Sequence, residues 1–168
     1  NFGEDGTIYG AQALGQEGVD KRIDVIATAI KGNLTIYDLQ EIEVAYAPPY
    51  NAAKDPVNIL GYVAENMLND DVRLVNYDEL DEYLAAENGI LIDVRTKTEF
   101  ENGAIPNAIH MDVDTLRENL DFFDKNKKYV IYCQIGLRGY LAQRILRNND
   151  IDSVNLNGGY GLWKPVNS

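Results

Sequence analysis

The sequence has one cysteine, one histidine and one tryptophan in 168 residues. A single thiol excludes an internal disulfide framework and leaves no zinc cluster of cysteines. A lone thiol also fits a reducing compartment, so a cytoplasmic protein is expected. No apolar run approaches the roughly 20 residues needed to span a bilayer, and no charged-then-apolar start suggests a secretory signal. Positive charge is scarce: 15 Lys and Arg face 27 Asp and Glu, a net charge of −12. The first 71 residues carry 4 basic and 12 acidic side chains, the remainder 11 and 15. Such a surface repels phosphate backbones, which argues against a nucleic-acid partner, and it favours solubility. What the chain does have is a 45% hydrophobic share, enough for a packed core.

A composition break falls near "NMLNDDVRL" (66–74), and the boundary is placed at residue 71, giving segments 1–71 and 72–168. In the first, "GTIYGAQALG" (6–15) reads as a strand. "GVDKRIDVIATAIKGN" (18–33) puts Val19, Ile23, Ile26, Ala27 and Ile30 on one helical face. "YDLQEIEVAY" (37–46) reads as a helix capped by Asp38. "DPVNILGYVAENML" (55–68) reads as a helix with Asp55 as N-cap and Pro56 as first residue. One strand and three helices rarely close a core alone, so an unfinished apolar face is expected, and with it a segment that dimerises, packs onto the following segment or is poorly ordered.

The second segment alternates cleanly. Helices are predicted at 77–86, 97–102, 112–120 and 137–149, with a last helical turn in 158–166. Strands are predicted at 89–94, 107–111, 128–133 and 152–157. Short apolar strands alternating with helices indicate an α/β fold with a parallel sheet covered on both faces.

In such a sheet ligands bind beyond the carboxyl ends of the strands, and Cys133 falls at one. The loop "CQIGLR" then feeds a helix. Backbone N–H groups of Gln134, Ile135, Gly136, Leu137 and Arg138 can converge on one point, and the helix N-terminus adds partial positive charge. Arg138 adds a full charge, and each effect favours a thiolate. Gly136 supplies a backbone conformation that a side chain would forbid. This is a site for a nucleophilic sulfur that carries or binds an anion, set against the plain alternative of a small buried hydrophobe.

These blocks resemble the rhodanese family of sulfurtransferases over roughly residues 72–168. "LIDVRTKTEFENGAIPNAIHM" (91–111) is similar to the family's Asp-x-Arg and Gly-x-Ile-Pro-x-Ala blocks, "YCQIGLRG" (132–139) to its six-residue active loop, and "LNGGYGLW" (156–163) to its Gly-Gly-aromatic ending. The resemblance implies a rhodanese-like fold and a persulfide carried on Cys133, with the loop amides cradling the anion. The six-residue loop suits sulfur rather than phosphate chemistry. Gln134 stands where the family often has arginine, which makes thiosulfate a poor donor, and Ala104 stands where it often has histidine. His110, between apolar strand neighbours, is read as structural. Asp93 is read as orienting the loop from behind, Arg95 as structural and paired with Glu99, and Trp163 as core. No metal site is expected.

Residues 21–66, with "AYAPPY" and "AKDPVN", resemble the end of the dimerisation domain of pyridine nucleotide–disulfide oxidoreductases of the coenzyme A-disulfide reductase and NADH oxidase type. The resemblance implies an α+β fragment of that domain ahead of the rhodanese-like one. It implies FAD, NAD(P)H and coenzyme A for the full-length protein, none in this fragment, since no Gly-x-Gly-x-x-Gly stretch occurs here. It also implies a homodimer, with Tyr46 reaching the partner's reductase site. Small thiol persulfides or thiosulfate are the expected substrates, with no nucleic acid and no membrane. The competing reading is a non-catalytic rhodanese-like module that regulates or docks the reductase.

Overall fold

In the computed structural model, which describes residues 1–49 and 51–167, the chain divides between Asp71 and Val72 into two units. The first unit holds α1 (Val19–Lys31), α2 (Ile36–Glu41) and α3 (Pro56–Leu68). Asp55 caps α3 as predicted: its carboxylate accepts the Val57 N–H at 3.0 Å, while Asn58 Oδ1 accepts the Asp55 N–H at 3.0 Å. Arg22 of α1 reaches the same carboxylate at 3.0 Å, so one buried acid ties two helices together. The core is small and apolar, with Ile26, Ala29, Ile36, Leu39, Val57 and Ala64 at its centre.

Three expectations for this unit are corrected. The strand predicted at 6–15 reduces to two isolated antiparallel bridges, Phe2 with Ile8 and Thr7 with Thr35. No described strand runs beside it to complete a ladder. The helix predicted at 37–46 runs only Ile36–Glu41, because Asn58 Nδ2 donates to the carbonyls of Leu39 and Ile42, both at 2.9 Å, in place of further helical donors. Its N-cap is Thr35; Asp38 is the third helical residue, and its carboxylate accepts the Thr35 N–H at 2.7 Å. The outer side of α3 exposes Ile59, Leu60, Val63 and Met67. Tyr50, which ends the "AYAPPY" string, lies outside the described residues.

The second unit is a five-stranded sheet of order β1-β5-β4-β2-β3, parallel throughout. Its elements run β1 (Leu74–Val75), α4 (Leu80–Ala86), β2 (Ile90–Asp93), α5 (Lys97–Glu101), β3 (Ile109–His110), β4 (Tyr129–Tyr132), α6 (Leu137–Arg147), β5 (Ser153–Leu156) and α7 (Gly159–Val166). Alternation along the strands splits the apolar side chains between two faces. Ile92 and Ile131 pack with Ala142 and Leu146 of α6 on one. Leu91 and Val130 pack with Leu80 of α4 and Tyr160 of α7 on the other. This is the α/β architecture the alternating pattern predicts.

Two elements differ. Residues 112–120 do not form an α-helix but a turn followed by 3-10 segments. Asp112 Oδ1 accepts the Asp114 N–H at 3.1 Å, a local bond that competes with the helix. The two-residue β1 was not foreseen and pairs with Asn155 and Leu156 of β5. No helix among the described residues is long and apolar enough to cross a membrane.

Candidate active site

The register Asp93↔Tyr132 brings the ends of β2 and β4 level, so Asp93 and Cys133 share the carboxyl edge of the sheet. Cys133 is buried, 1% exposed, and the Gly136 N–H donates to its Sγ at 3.1 Å. Gly136 has φ 141 and ψ −35, in a region that L side chains rarely adopt, with open space around its Cα. Glycine is needed there for conformation, not for room.

The loop is held from behind by α7. The Tyr160 N–H donates to the Cys133 carbonyl and the Gly161 N–H to the Gln134 carbonyl, both at 2.8 Å. Gly159 makes this possible: its φ is 57, and a Cβ there would collide with the Cys133 carbonyl. The chain so trades the N–H groups of one helix start for a fixed path through Cys133 and Gln134. Ile135 and Leu137 project outward from the loop, 73% and 67% exposed.

Arg138 does not stand free beside the sulfur. Its two terminal nitrogens meet the Glu99 oxygens at 2.7 Å each, a bidentate pair. The Arg138 guanidinium holds the Glu99 carboxyl down to about 2. Glu99 in turn, helped by the Cys133 sulfur, keeps Arg138 above its usual range. The positive end of the loop is thus largely matched by a carboxylate.

Asp93 and Arg95 form the buried support, 0% and 2% exposed. Asp93 Oδ1 accepts from Arg95 N–H at 2.9 Å and Nε at 3.0 Å, and Oδ2 accepts from Nη2 at 2.7 Å. The expected Arg95–Glu99 pair is not formed: Glu99 faces Arg138 and caps α5 at Thr96, while Arg95 folds back onto the strand end. Burial alone would lower Arg95, but the bond to Asp93 outweighs it and raises the guanidinium. Arg95 also donates to the Gly103 carbonyl at 2.7 Å and to Gln134 Oε1 at 3.4 Å, and lies 4.1 Å over the Tyr160 ring. Asp93 therefore reaches the loop through Arg95.

His110 Nε2 lies 2.8 Å from the Arg95 carbonyl and its ring packs at 5.0 Å on Phe100. Trp163 stacks on Tyr160 at 6.2 Å and packs, partly buried, against the core cluster on that face of the sheet. Tyr46 belongs to the first unit, where it is half-exposed beside Lys54 and Tyr62. Sequence reasoning missed Glu99 as the partner of Arg138, and no local signal marks it across 39 residues. It also missed the Gly159 contact, for which the Gly-Gly pair was the available sign.

The rhodanese-like domain family matches residues 76–165. The chain belongs to that family. A solved structure of reduced Bacillus anthracis CoADR-RHD superposes with a TM-score of 0.93 at 46% identity, covering 98% of this chain and 30% of that one. The NAD-dependent persulfide reductase from A. fulgidus gives a TM-score of 0.77 at 37% identity, covering 89% and 26%. A coenzyme A disulfide reductase of Staphylococcus aureus is 55% identical over 58 residues, 34% of this chain and 13% of that protein. The chain is therefore homologous to the C-terminal region of coenzyme A disulfide reductase, and it spans less than a third of each of these three longer proteins. The fold is the rhodanese-like one that the sequence motifs imply.

Proposed function

We propose that this rhodanese-like domain is a sulfurtransferase that carries a persulfide on Cys133. The observation that carries the reading is the Gly136 N–H aimed at Cys133 Sγ at 3.1 Å, on a loop that opens α6 at the carboxyl edge of the sheet. A donated N–H and a helix N-terminus both favour negative charge on sulfur. In the proposed cycle the Cys133 thiolate attacks the outer sulfur of a donor persulfide. One S–S bond forms as the donor's breaks, and the donor leaves as a thiolate. An acceptor thiolate then takes the outer sulfur and returns Cys133 to its thiolate, with no net oxidation.

The charge balance favours one class of donor. Gln134 brings no charge, and Arg138 is already paired with Glu99. A dianion such as thiosulfate finds little uncompensated positive charge, whereas the reacting group of an organic persulfide brings one negative charge at most, and its carbon chain can rest against exposed Ile135 and Leu137. In a longer reductase, FAD, NAD(P)H and coenzyme A would be bound by other parts of the chain. The first unit would contribute to a homodimer, and Tyr46 would face the partner's thiol chemistry.

The test is intact mass after incubation with glutathione persulfide and, separately, with thiosulfate. The reading expects a gain of one sulfur atom with the persulfide, removed by cyanide and absent in Cys133→Ser. No gain from either donor would overturn it in favour of a non-catalytic docking module.

A further inference from the structure

Asn155 sits in the middle of β5, 4% exposed, on the face that α6 covers. Val154 and Leu156, its neighbours, are apolar and point to the other face. Its Nδ2 donates to the Gly136 carbonyl at 3.2 Å, while its Oδ1 is buried without a hydrogen-bond partner among the described residues. A buried acceptor left unpaired is destabilising and calls for a reason. A second local sacrifice points to the same residue. Gly139 lies inside α6, where glycine is a poor helix former, and a Cβ there would collide with Asn155 Oδ1. A leucine at 155 and an alanine at 139 would pack a simpler core. The chain instead keeps an amide and makes room for it.

What that amide holds is the Gly136–Leu137 peptide, the one after the peptide whose N–H meets the sulfur. The Gly136 carbonyl accepts both Asn155 Nδ2 and the Tyr140 N–H, the latter at 2.8 Å, so its two lone pairs are engaged. The same residue's N–H donates to Cys133 Sγ. Gly136 is free to rotate by its chemistry and has no side chain to lock it, so its orientation depends on these bonds. We infer that Asn155 is a positioning residue for sulfur chemistry at Cys133: by fixing the Gly136–Leu137 peptide it limits rotation at Gly136, and so keeps the N–H on the preceding peptide directed at the sulfur. This rests on the reading of Cys133 as a sulfur carrier, and assigns part of that site to a strand that does not touch the thiol.

The experiment measures the rate of Cys133 alkylation by iodoacetamide against pH in wild type, Asn155→Leu and Asn155→Ala, with thermal unfolding alongside. Leucine removes the donor and the unpaired acceptor together, so Asn155→Leu is expected to unfold no earlier than wild type while its pH–rate profile moves to higher pH. Its rate at neutral pH should fall at least threefold. Asn155→Ala should move the profile the same way at lower stability, and it serves if the leucine variant does not fold. Gln143→Leu is the control: Gln143 is a buried amide on α6 itself, bonded to the Ser153 and Arg73 carbonyls and not to the loop. Neither Arg138 nor Glu99, the charged pair at the thiol, is altered. Profiles that superimpose on wild type in folded Asn155 variants would overturn the inference, as would an equal shift in Gln143→Leu. Sulfur loading is read separately by mass, so a wild type that takes no sulfur would sink the sulfurtransferase reading while the alkylation profile still decides the role of Asn155.

Discussion

Arg138 and Glu99 meet end to end across the mouth of the Cys133 loop, with both guanidinium nitrogens 2.7 Å from carboxylate oxygens. The pair is partly exposed, at 30% and 33% of each side chain, so water screens it and its value lies in the local potential more than in stability. Replacing Glu99 by Gln keeps an oxygen for the Thr96 cap and removes one negative charge near the sulfur. The expected outcome is a selective gain for anions. The ratio of Cys133 alkylation rates with iodoacetate and iodoacetamide should rise about threefold at low salt, equivalent to roughly 0.7 kcal/mol, and fall back in 0.5 M salt. An unchanged ratio would mean that Glu99 does not set the charge seen by a donor.

How legible was this site? Cys133 announces itself because an apolar strand stops there and a glycine-bearing helix start follows, all within a few residues. Asp55–Pro56 is legible for the same reason: a cap and its helix are neighbours in sequence. The strand expected at 6–15 fails because a strand is made by its neighbour, and the residues from Gly10 to Gly15 find none. The helix expected at 112–120 fails because Asp112 captures the N–H of Asp114 first. Sequence spacing points Arg95 to Glu99, one helical turn away, whereas Asp93 is the acid buried with it. Only the register of β2 against β4 places Glu99 and Arg138 on the same rim.

The Asp93–Arg95 pair is the opposite case from Glu99–Arg138, since both side chains are out of water. Removing one charge leaves the other buried and uncompensated. Asp93→Asn is expected to destabilise the second unit by about 3–5 kcal/mol, where a surface pair would lose about 1 or less. Arg95→Met, which removes the cation and leaves the Asp93 carboxylate buried without its counter-charge, should cost a comparable amount. The double variant Asp93→Asn with Arg95→Met should cost less than the sum of the two. Urea unfolding of the four proteins measures the coupling; additive losses would show that the two side chains do not act as a pair.

Gly159→Ala tests the α7 contact with the loop. Alanine must hold a φ of 57 and place its Cβ against the Cys133 carbonyl. The backbone strain alone is about 1–2 kcal/mol, and relief requires the α7 start to withdraw. The Tyr160 and Gly161 N–H bonds would then be lost together. The expected result is a lower thermal midpoint and faster reaction of the buried Cys133 with a bulky neutral maleimide. Gly158→Ala, strained at φ 75 and crowded against Leu162 of α7 rather than against the loop, should cost stability without the same gain in thiol access.

The first unit carries its own pH dependence through Asp55. Burial would raise this carboxyl, but the Val57 N–H, Asn51 and Arg22 together outweigh it and hold it below the usual carboxylate range. A group depressed in the folded state contributes stability that is full above its unfolded value, near 4, and is lost as pH falls through the lower folded value. Asp55→Ala should therefore destabilise the first unit at neutral pH by about 1–2 kcal/mol from the cap, with the loss of the Arg22 bond in addition. The difference from wild type should shrink steadily from pH 5 downward, because protonation removes the same charge that the substitution does. Asp55→Asn separates the parts: an amide still caps the Val57 N–H but no longer draws Arg22 as an ion, so it should lose less at neutral pH. Chemical denaturation of the three proteins at pH 7, 5 and 3 checks this. A gap between wild type and Asp55→Ala that stays constant across that range would show that the stabilisation comes from the shape of the side chain rather than its charge.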